Sequence, residues 1–300
     1  MDILIANPHL VTLAGSEVNI IEFSEYFTRR NHNVDIVVNR YGGAGASFLR
    51  ELVPSAVVYT PADIPNKTYD LIWNMAAGNF LNEILKRVSS EKIINYTLSI
   101  FKLEGTPPSI KAHKYYANSW ETQKTWEAIA HMDVLPNMAP DKFFTDKTSP
   151  ELTKVAIVSN HVPKELRETR IALMDAGIDV VHHGIGGRVV RVTPELLASF
   201  SVIITIGKTV QYGLASQIPV YCYDKFGGPG YITTQNIDQS ANYNFSGRCC
   251  RRQISGAQIA SEIIDGYTYV SNMRIALQDI AKDRYHLESN MDTVLRTIFE

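Results

Sequence analysis

The sequence predicts an α/β protein of two halves, each a parallel sheet covered by helices on both faces, ending in a helical C-terminal segment. Three observations carry this. Short β-branched and apolar runs alternate with stretches of helical period. That alternation restarts after a polar, proline-marked stretch, Pro140 to Thr153. From residue 255 to 299 the helical pattern continues without another strand.

In the first half Ile3 to Ala6 reads as a buried strand and Asn7 to Gly15 as a loop. Ser16 is a candidate N-cap for a helix to about Arg30, with Val18, Ile21, Phe23 and Phe27 at helical spacings. Asn31 and His32 end it, and Val34 to Val38 is the next strand. Further strands are expected at Val57-Val58-Tyr59, Leu71-Ile72-Trp73 and Ile93 to Tyr96, with helices around residues 44 to 53 and 79 to 89. The second half opens with the strand Val155 to Val158. A helix from Lys164 to Ala176 follows, stopped by Gly177, then a strand from Ile178 to His182. Pro194 to Phe200 is a short helix. The expected division is 1–145, 146–275 and a last helix, 276–300, packing back on the first domain. Two such domains facing one another create a central cleft, a common place for a ligand.

Composition removes several classes. Lys plus Arg number 29 against 31 Asp plus Glu, so the net charge of -2 offers no general attraction for nucleic acid. Cys222, Cys249 and Cys250 form an odd set without metal-ligand spacing and read as reduced thiols of a cytoplasmic protein. Met1-Asp2-Ile3-Leu4-Ile5-Ala6 is too short for a signal peptide's apolar region, and no apolar run is long enough to span a bilayer. Peripheral attachment at the inner face of a membrane stays open. There is no Asp-x-Asp and no His/Cys cluster, so neither a metal nor a resident cofactor is expected.

The chemically richest stretch is the strand Val202 to Ile206 running into Gly207-Lys208-Thr209 and a helix. A helix N-terminus beside a lysine suits a phosphate, and Thr209 offers a hydroxyl and an N–H to the same anion. The alternative is a solvated lysine at an exposed helix start. The motif is not a nucleoside-triphosphatase phosphate loop, because position 202 is Val where that loop has Gly. The next strand, Val220 to Asp224, leads into Gly227-Gly228-Pro229-Gly230-Tyr231. There glycine lets backbone approach a ligand, Tyr223 or Tyr231 is placed to stack on a base or sugar, and Asp224 to accept from sugar hydroxyls. A tight turn capped by the aspartate is the plainer alternative.

Gly15 and Ser16 open the first long helix, and their amides either meet phosphate or acceptor or merely cap the helix. His9, on the same loop, is the candidate general base, with Glu17 and Glu104 as further candidates; an exposed loop histidine is the alternative. His161, just past its strand, points by topology to the cleft. Arg248-Cys249-Cys250-Arg251-Arg252 is a basic cluster that suits an anionic headgroup or a solvated face. The run Gly42-Gly43-Ala44-Gly45 follows the second strand and lacks a third spaced glycine, which argues against a dinucleotide fingerprint.

Four passages resemble the sugar-nucleotide-dependent glycosyltransferases with two Rossmann-like domains, the GT-B type. Ala14-Gly15-Ser16-Glu17, a helix, then Asn31-His32-Asn33-Val34-Asp35-Ile36-Val37-Val38 resembles that family's opening. Tyr116-Ala117-Asn118-Ser119 before a helix, then Val134-Leu135-Pro136-Asn137, resembles its domain crossover. Gly184-Ile185-Gly186-Gly187 resembles its donor-domain glycine loop, and Ala215-Ser216-Gln217-Ile218-Pro219-Val220 its "A-x-G-x-P-V" signature. The resemblance spans roughly residues 1 to 235.

It implies that the second domain holds the nucleotide diphosphate, with Gly184 and Gly186 beside it, and that the first holds the acceptor. The donor substrate is then a nucleoside diphosphate sugar, and the acceptor a hydroxyl of a glycan, a lipid-linked saccharide or a protein. Where many retaining members carry glutamates, this chain has Thr205 and Tyr212, with Gln211 alongside. That departure keeps a second reading in play, a non-catalytic nucleotide- or sugar-binding partner of a glycan synthase. A sugar-nucleotide epimerase is a third, and self-association or a partner subunit stays open.

Overall fold

The structure, a computed structural model, describes residues 1–109, 111–146 and 151–300. It divides into two compact units, Met1–Leu135 with Asp292–Glu300, and Pro136–Met291. The changeover falls at Leu135 rather than at residue 145. Of the expected last segment, residues 276–291 stay with the second unit and those from Asp292 join the first. Residues 147–150 of the expected linker lie outside the described residues.

The first unit contains strands β1 (Asp2–Ala6), β2 (His9–Leu10), β3 (Asn33–Val37), β4 (Arg40–Tyr41), β5 (Val57–Tyr59), β6 (Lys67–Asn74), β7 (Val88–Thr97), β8 (Lys114–Ala117) and β9 (Asp133–Val134). Its helices are α1 (Gly15–Arg29), α2 (Gly43–Leu52), α3 (Phe80–Ile84), α4 (Lys102–Gly105) and α5 (Trp120–Trp126). The main sheet is parallel, in the order β5-β3-β1-β6-β7-β8-β9. Covered on both faces, its strands read as unbroken apolar runs such as Ile3 to Ala6, all fully buried. α1 lays Phe23 and Phe27 on Trp73 and Tyr96, with ring centroids 5.1 Å apart for Phe23 and Trp73. It ends at Arg29, and the chain turns away at Asn31, whose φ of 59° is a left-handed conformation that asparagine tolerates. The helix expected over 79 to 89 stops at Ile84, because Val88 already pairs with β6 and β7 begins there.

The second unit contains β10 (Lys154–Val158), β11 (Asp179–His183), β12 (Val202–Thr205), β13 (Val220–Asp224) and β14 (Gly227–Tyr231). Its helices are α6 (Lys164–Asp175), α7 (Pro194–Ala198), α8 (Lys208–Ala215), α9 (Ile237–Asn242), α10 (Gly256–Ser271) and α11 (Arg274–Tyr285). α12 (Leu287–Phe299) starts in this unit, and its residues from Asp292 count with the first, where Tyr26 Oη donates to Asp292 at 2.5 Å. The sheet order is β11-β10-β12-β13-β14, parallel except for β14. Val155, Ile157, Val202, Ile204, Leu173 and Ile263 share one buried core.

The glycine-rich stretch after β13 is therefore not a loop. Gly227 to Tyr231 form an antiparallel edge strand, and the missing side chains let it lie against its neighbours. A Cβ on Gly228 would sit 2.0 Å from the Cys222 carbonyl oxygen, and one on Gly227 2.2 Å from that of Arg252.

Candidate functional site

In open α/β sheets a ligand crevice forms at the carboxyl ends of the strands, where connections leave in opposite directions. In the second unit that point lies between β10 and β12, since the chain runs from β10 to β11 on one side and returns to β12 on the other. Three turns meet there. Ser159–His161 follows β10, Gly184–Gly187 follows β11, and Ile206–Lys208 follows β12.

The first two turns are bonded together. His182 Nε2 lies 2.9 Å from the Ser159 carbonyl oxygen, and the Ile185 N–H donates to Asn160 Oδ1 at 3.2 Å. Gly184, with φ of 132°, passes so close that a Cβ would sit 2.1 Å from the Ser159 oxygen. Only glycine fits there, and Gly186 has a positive φ as well. His161 is exposed at this edge, its N–H taken by Ser159 Oγ at 3.1 Å. Topology thus brings His161, Gly184, Gly186, Gly207 and Thr209 to one sheet edge.

Lys208 does not offer its charge there. The side chain is only 7% exposed, its Nζ donates to the Met138 carbonyl at 2.9 Å, and it lies over the Tyr212 ring. The expected phosphate lysine instead ties the start of α8 to the segment entering the unit. Beside it, Asn137 Nδ2 donates to Asn244 Oδ1 at 2.9 Å. Gly207, with φ 59° and ψ −135°, makes the turn into α8 in a conformation closed to other residues.

The β13–β14 residues are also committed to packing. Tyr223 and Tyr231 are buried, with hydroxyls donating to the Ile254 and Ile263 carbonyls at 3.1 and 2.9 Å. Burial raises both phenol pKa values. Neither ring is available for stacking. Asp224 accepts from the Phe226 and Gly247 N–H groups and from Ser246 Oγ, so it organises its turn as the plainer alternative held. Gly230 abuts Arg252 and Glu262, a bidentate pair at 2.7 and 2.9 Å that holds the Glu262 carboxyl below its ordinary range. That pair also absorbs one arginine of the basic cluster. Tyr212 stacks on Phe143 at 4.1 Å and Thr205 Oγ1 donates to the Val158 carbonyl, so both departures from the family pattern pack the unit.

The corresponding crevice of the first unit lies between β1 and β6. There the loop from Asn7 to Ala14 carries exposed His9 and delivers the chain to Gly15 and Ser16. Glu17 is buried. Its carboxylate accepts from the N–H groups of Val11, Thr12 and Ala14 at 2.9, 2.9 and 3.2 Å, and from Thr12 Oγ1. With its lone pairs so occupied, Glu17 positions the loop rather than taking a proton from a ligand. α2 closes over the other side, where Gly45 N–H donates to the Val11 carbonyl at 3.2 Å. A Cβ on Gly43 would sit 2.4 Å from that same oxygen. Glu104 is exposed and receives Ser99 Oγ at 3.2 Å.

A buried set of amides lies along this edge, and the sequence reading passed over it. Asn74 ends β6, Asn7 and Asn118 follow β1 and β8, and Asn95 lies two residues before the end of β7. Asn7 Nδ2 donates to the His9 carbonyl at 2.7 Å, Asn74 to Asn95 Oδ1 at 2.7 Å, and Asn118 to the Leu98 carbonyl at 2.8 Å. The signal was readable, since an asparagine directly follows each of Ile3 to Ala6, Leu71 to Trp73, Ile93-Ile94 and Tyr115 to Ala117.

Among the described residues no group of His, Cys, Asp and Glu could hold a metal ion, and no helix is long and apolar enough to cross a membrane. No family profile and no curated protein matches the sequence. Solved structures do. Anabaena Alr3699/HepE, crystallised in complex with UDP and glucose, is 15% identical over 99% of both chains with a TM-score of 0.63. A glycosyltransferase from Rickettsia africae ESF-5 is 13% identical, covering 99% of this chain and 97% of its own, also at 0.63. A variant of S. aureus TarM, in complex with fondaparinux, alpha-GlcNAc-glycerol and UDP, is 8% identical over the full length of both at 0.59. The chain has the fold of the GT-B glycosyltransferases.

Proposed function

We propose that this chain is a glycosyltransferase that moves a sugar from a nucleoside diphosphate sugar to a hydroxyl of a glycan acceptor, in cytoplasmic polysaccharide assembly. One observation carries the reading. Three turns converge at the switch point of the second unit, in a chain whose fold matches over 99% of its length both Anabaena Alr3699/HepE, in complex with UDP and glucose, and a glycosyltransferase from Rickettsia africae.

In this reading the diphosphate lies against the turn into α8. Backbone N–H groups at Gly207 and Thr209 and the Thr209 hydroxyl stabilise the charge that develops as it leaves. His161 and the backbone of Gly184 and Gly186 line the sugar nucleotide's other side. Lys208 acts indirectly, by holding α8 on the Met138 carbonyl. His9 takes the proton from the acceptor hydroxyl, on a loop that Glu17 holds in place. Preorganised amides supply the electrostatics, and the donor sugar nucleotide is the only small molecule required. Free Cys222, Cys249 and Cys250 support a reducing compartment.

The test is calorimetric titration with nucleoside diphosphates and sugar nucleotides, followed by transfer assays with glycan acceptors. One nucleotide family should bind, and Thr209→Ala should weaken it roughly tenfold by removing a hydrogen bond to a charged group. No binding by any nucleotide overturns the reading. Binding without turnover favours the non-catalytic partner, to which the packing roles of Thr205 and Tyr212 already point.

A further inference from the structure

A cavity of about 520 Å³ opens in the first unit, apart from the Gly15–Ser16 turn. Asn39, Pro61, Asn79, Phe80 and Arg87 line it. Asn39 and Pro61 follow β3 and β5, and Asn79 and Phe80 follow β6, whereas Arg87 comes from beyond the far end of α3, immediately before β7. The cavity also adjoins the His9 loop, because the N–H groups of Asn39 and Arg40 both donate to the Pro8 carbonyl, at 2.9 and 3.1 Å.

The lining is chemically mixed in a particular way. Pro61 and Phe80 supply apolar surface, which suits the C–H face of a pyranose ring. Asn39 and Asn79 are exposed amides able to donate to and accept from hydroxyls. Lys86 and Glu83, also at the rim, neutralise each other at 2.6 Å. That leaves the Arg87 guanidinium, exposed and without a hydrogen-bond or ion-pair partner among the described residues. Asp63, which feels the Arg87 charge, is engaged by the Thr60 N–H and Oγ1 at 2.5 and 2.9 Å. A planar five-donor fork facing a cavity of sugar size recognises a carboxylate or a phosphate.

We infer that this cavity binds an acidic sugar residue, a uronate or a sugar phosphate, as a subsite of the acceptor. The acceptor role rests on the transferase reading, whereas the recognition of an acidic sugar does not. The test titrates the full-length protein with a glucuronate-containing disaccharide, a hexose 6-phosphate and a neutral disaccharide, with UDP titrated in parallel. At least one acidic probe should bind about tenfold more tightly than the neutral one. Arg87→Ala should abolish that preference, and Asn79→Ala should weaken the acidic probe severalfold. Arg170→Ala, an exposed arginine on α6, should change nothing.

Arg87→Lys separates the two sources. A carboxylate that uses the fork loses most of its affinity, and a phosphate keeps it on a point charge. Equal binding of neutral and acidic probes, or a preference that survives Arg87→Ala, overturns the inference. UDP binding without acid preference sinks this proposal alone. Acid preference without nucleotide binding leaves the cavity standing and removes the transferase reading.

Discussion

Two strand-to-helix turns of this molecule, one in each unit, solve the same problem with opposite charges. After β1 the chain must pass through exposed His9 to the start of α1, and a buried carboxylate, Glu17, gathers the loop's N–H groups to fix its path. After β12 it must turn within two residues into α8, and a buried ammonium, Lys208, reaches back to a carbonyl of the segment entering the unit. The anion collects donors and the cation finds an acceptor. Each buried charge is bonded to backbone, in Glu17 to N–H groups of its own loop and in Lys208 to a carbonyl. A charged residue at a glycine turn is therefore not by its type alone a ligand residue; its exposure and bonded partners decide.

Substitutions at four positions probe this contrast, taken from the largest effect to the smallest. Glu17→Ala strands several loop N–H groups and should cost about 3 kcal/mol of stability, read as a lowered denaturant midpoint; Glu17→Gln should recover part of it. A full-stability Glu17→Ala that lacks only turnover would return Glu17 to catalysis. Lys208→Ala leaves the Met138 carbonyl without its donor and should cost about 2 kcal/mol. Measured well below the unfolding midpoint, the affinity for any nucleoside diphosphate that the parent protein binds should stay within about twofold. A tenfold loss of affinity at unchanged stability would instead put the lysine on the phosphate.

Gly207→Ala forces a side chain into the left-handed region at φ 59° and should cost about 1–2 kcal/mol. The strain is conformational, since a Cβ there would meet only Asn244 Nδ2, at 3.9 Å. Gly15→Ala should leave stability within about 0.5 kcal/mol, because a Cβ there has nothing within 4 Å. Calorimetric unfolding of this pair shows whether the two turns differ as the backbone angles require. A large penalty at Gly15 would mean that the turn after β1 is as constrained as the one after β12.

What was legible in the amino-acid sequence follows from short-range physics. Apolar runs such as Ile3 to Ala6 and Val155 to Val158 suit strands of a sheet covered on both faces, and their alternation with helical periods gives the α/β class from local properties. The helix-start turns at Gly15 and Gly207 are equally local. Tertiary structure decided where the polar side chains go. Lys208 and Met138 lie far apart in the chain, as do Tyr231 and Ile263, and no spacing rule announces such a pairing. Gly227 to Tyr231 carry the composition of a loop yet form a strand, because the carbonyls of Cys222 and Arg252 leave no room for a Cβ. Local periodicity sets which elements form, since hydrophobic burial acts along each segment. Whether a charge or a glycine serves a ligand or the fold depends on partners brought in from distant elements, and only folding supplies them.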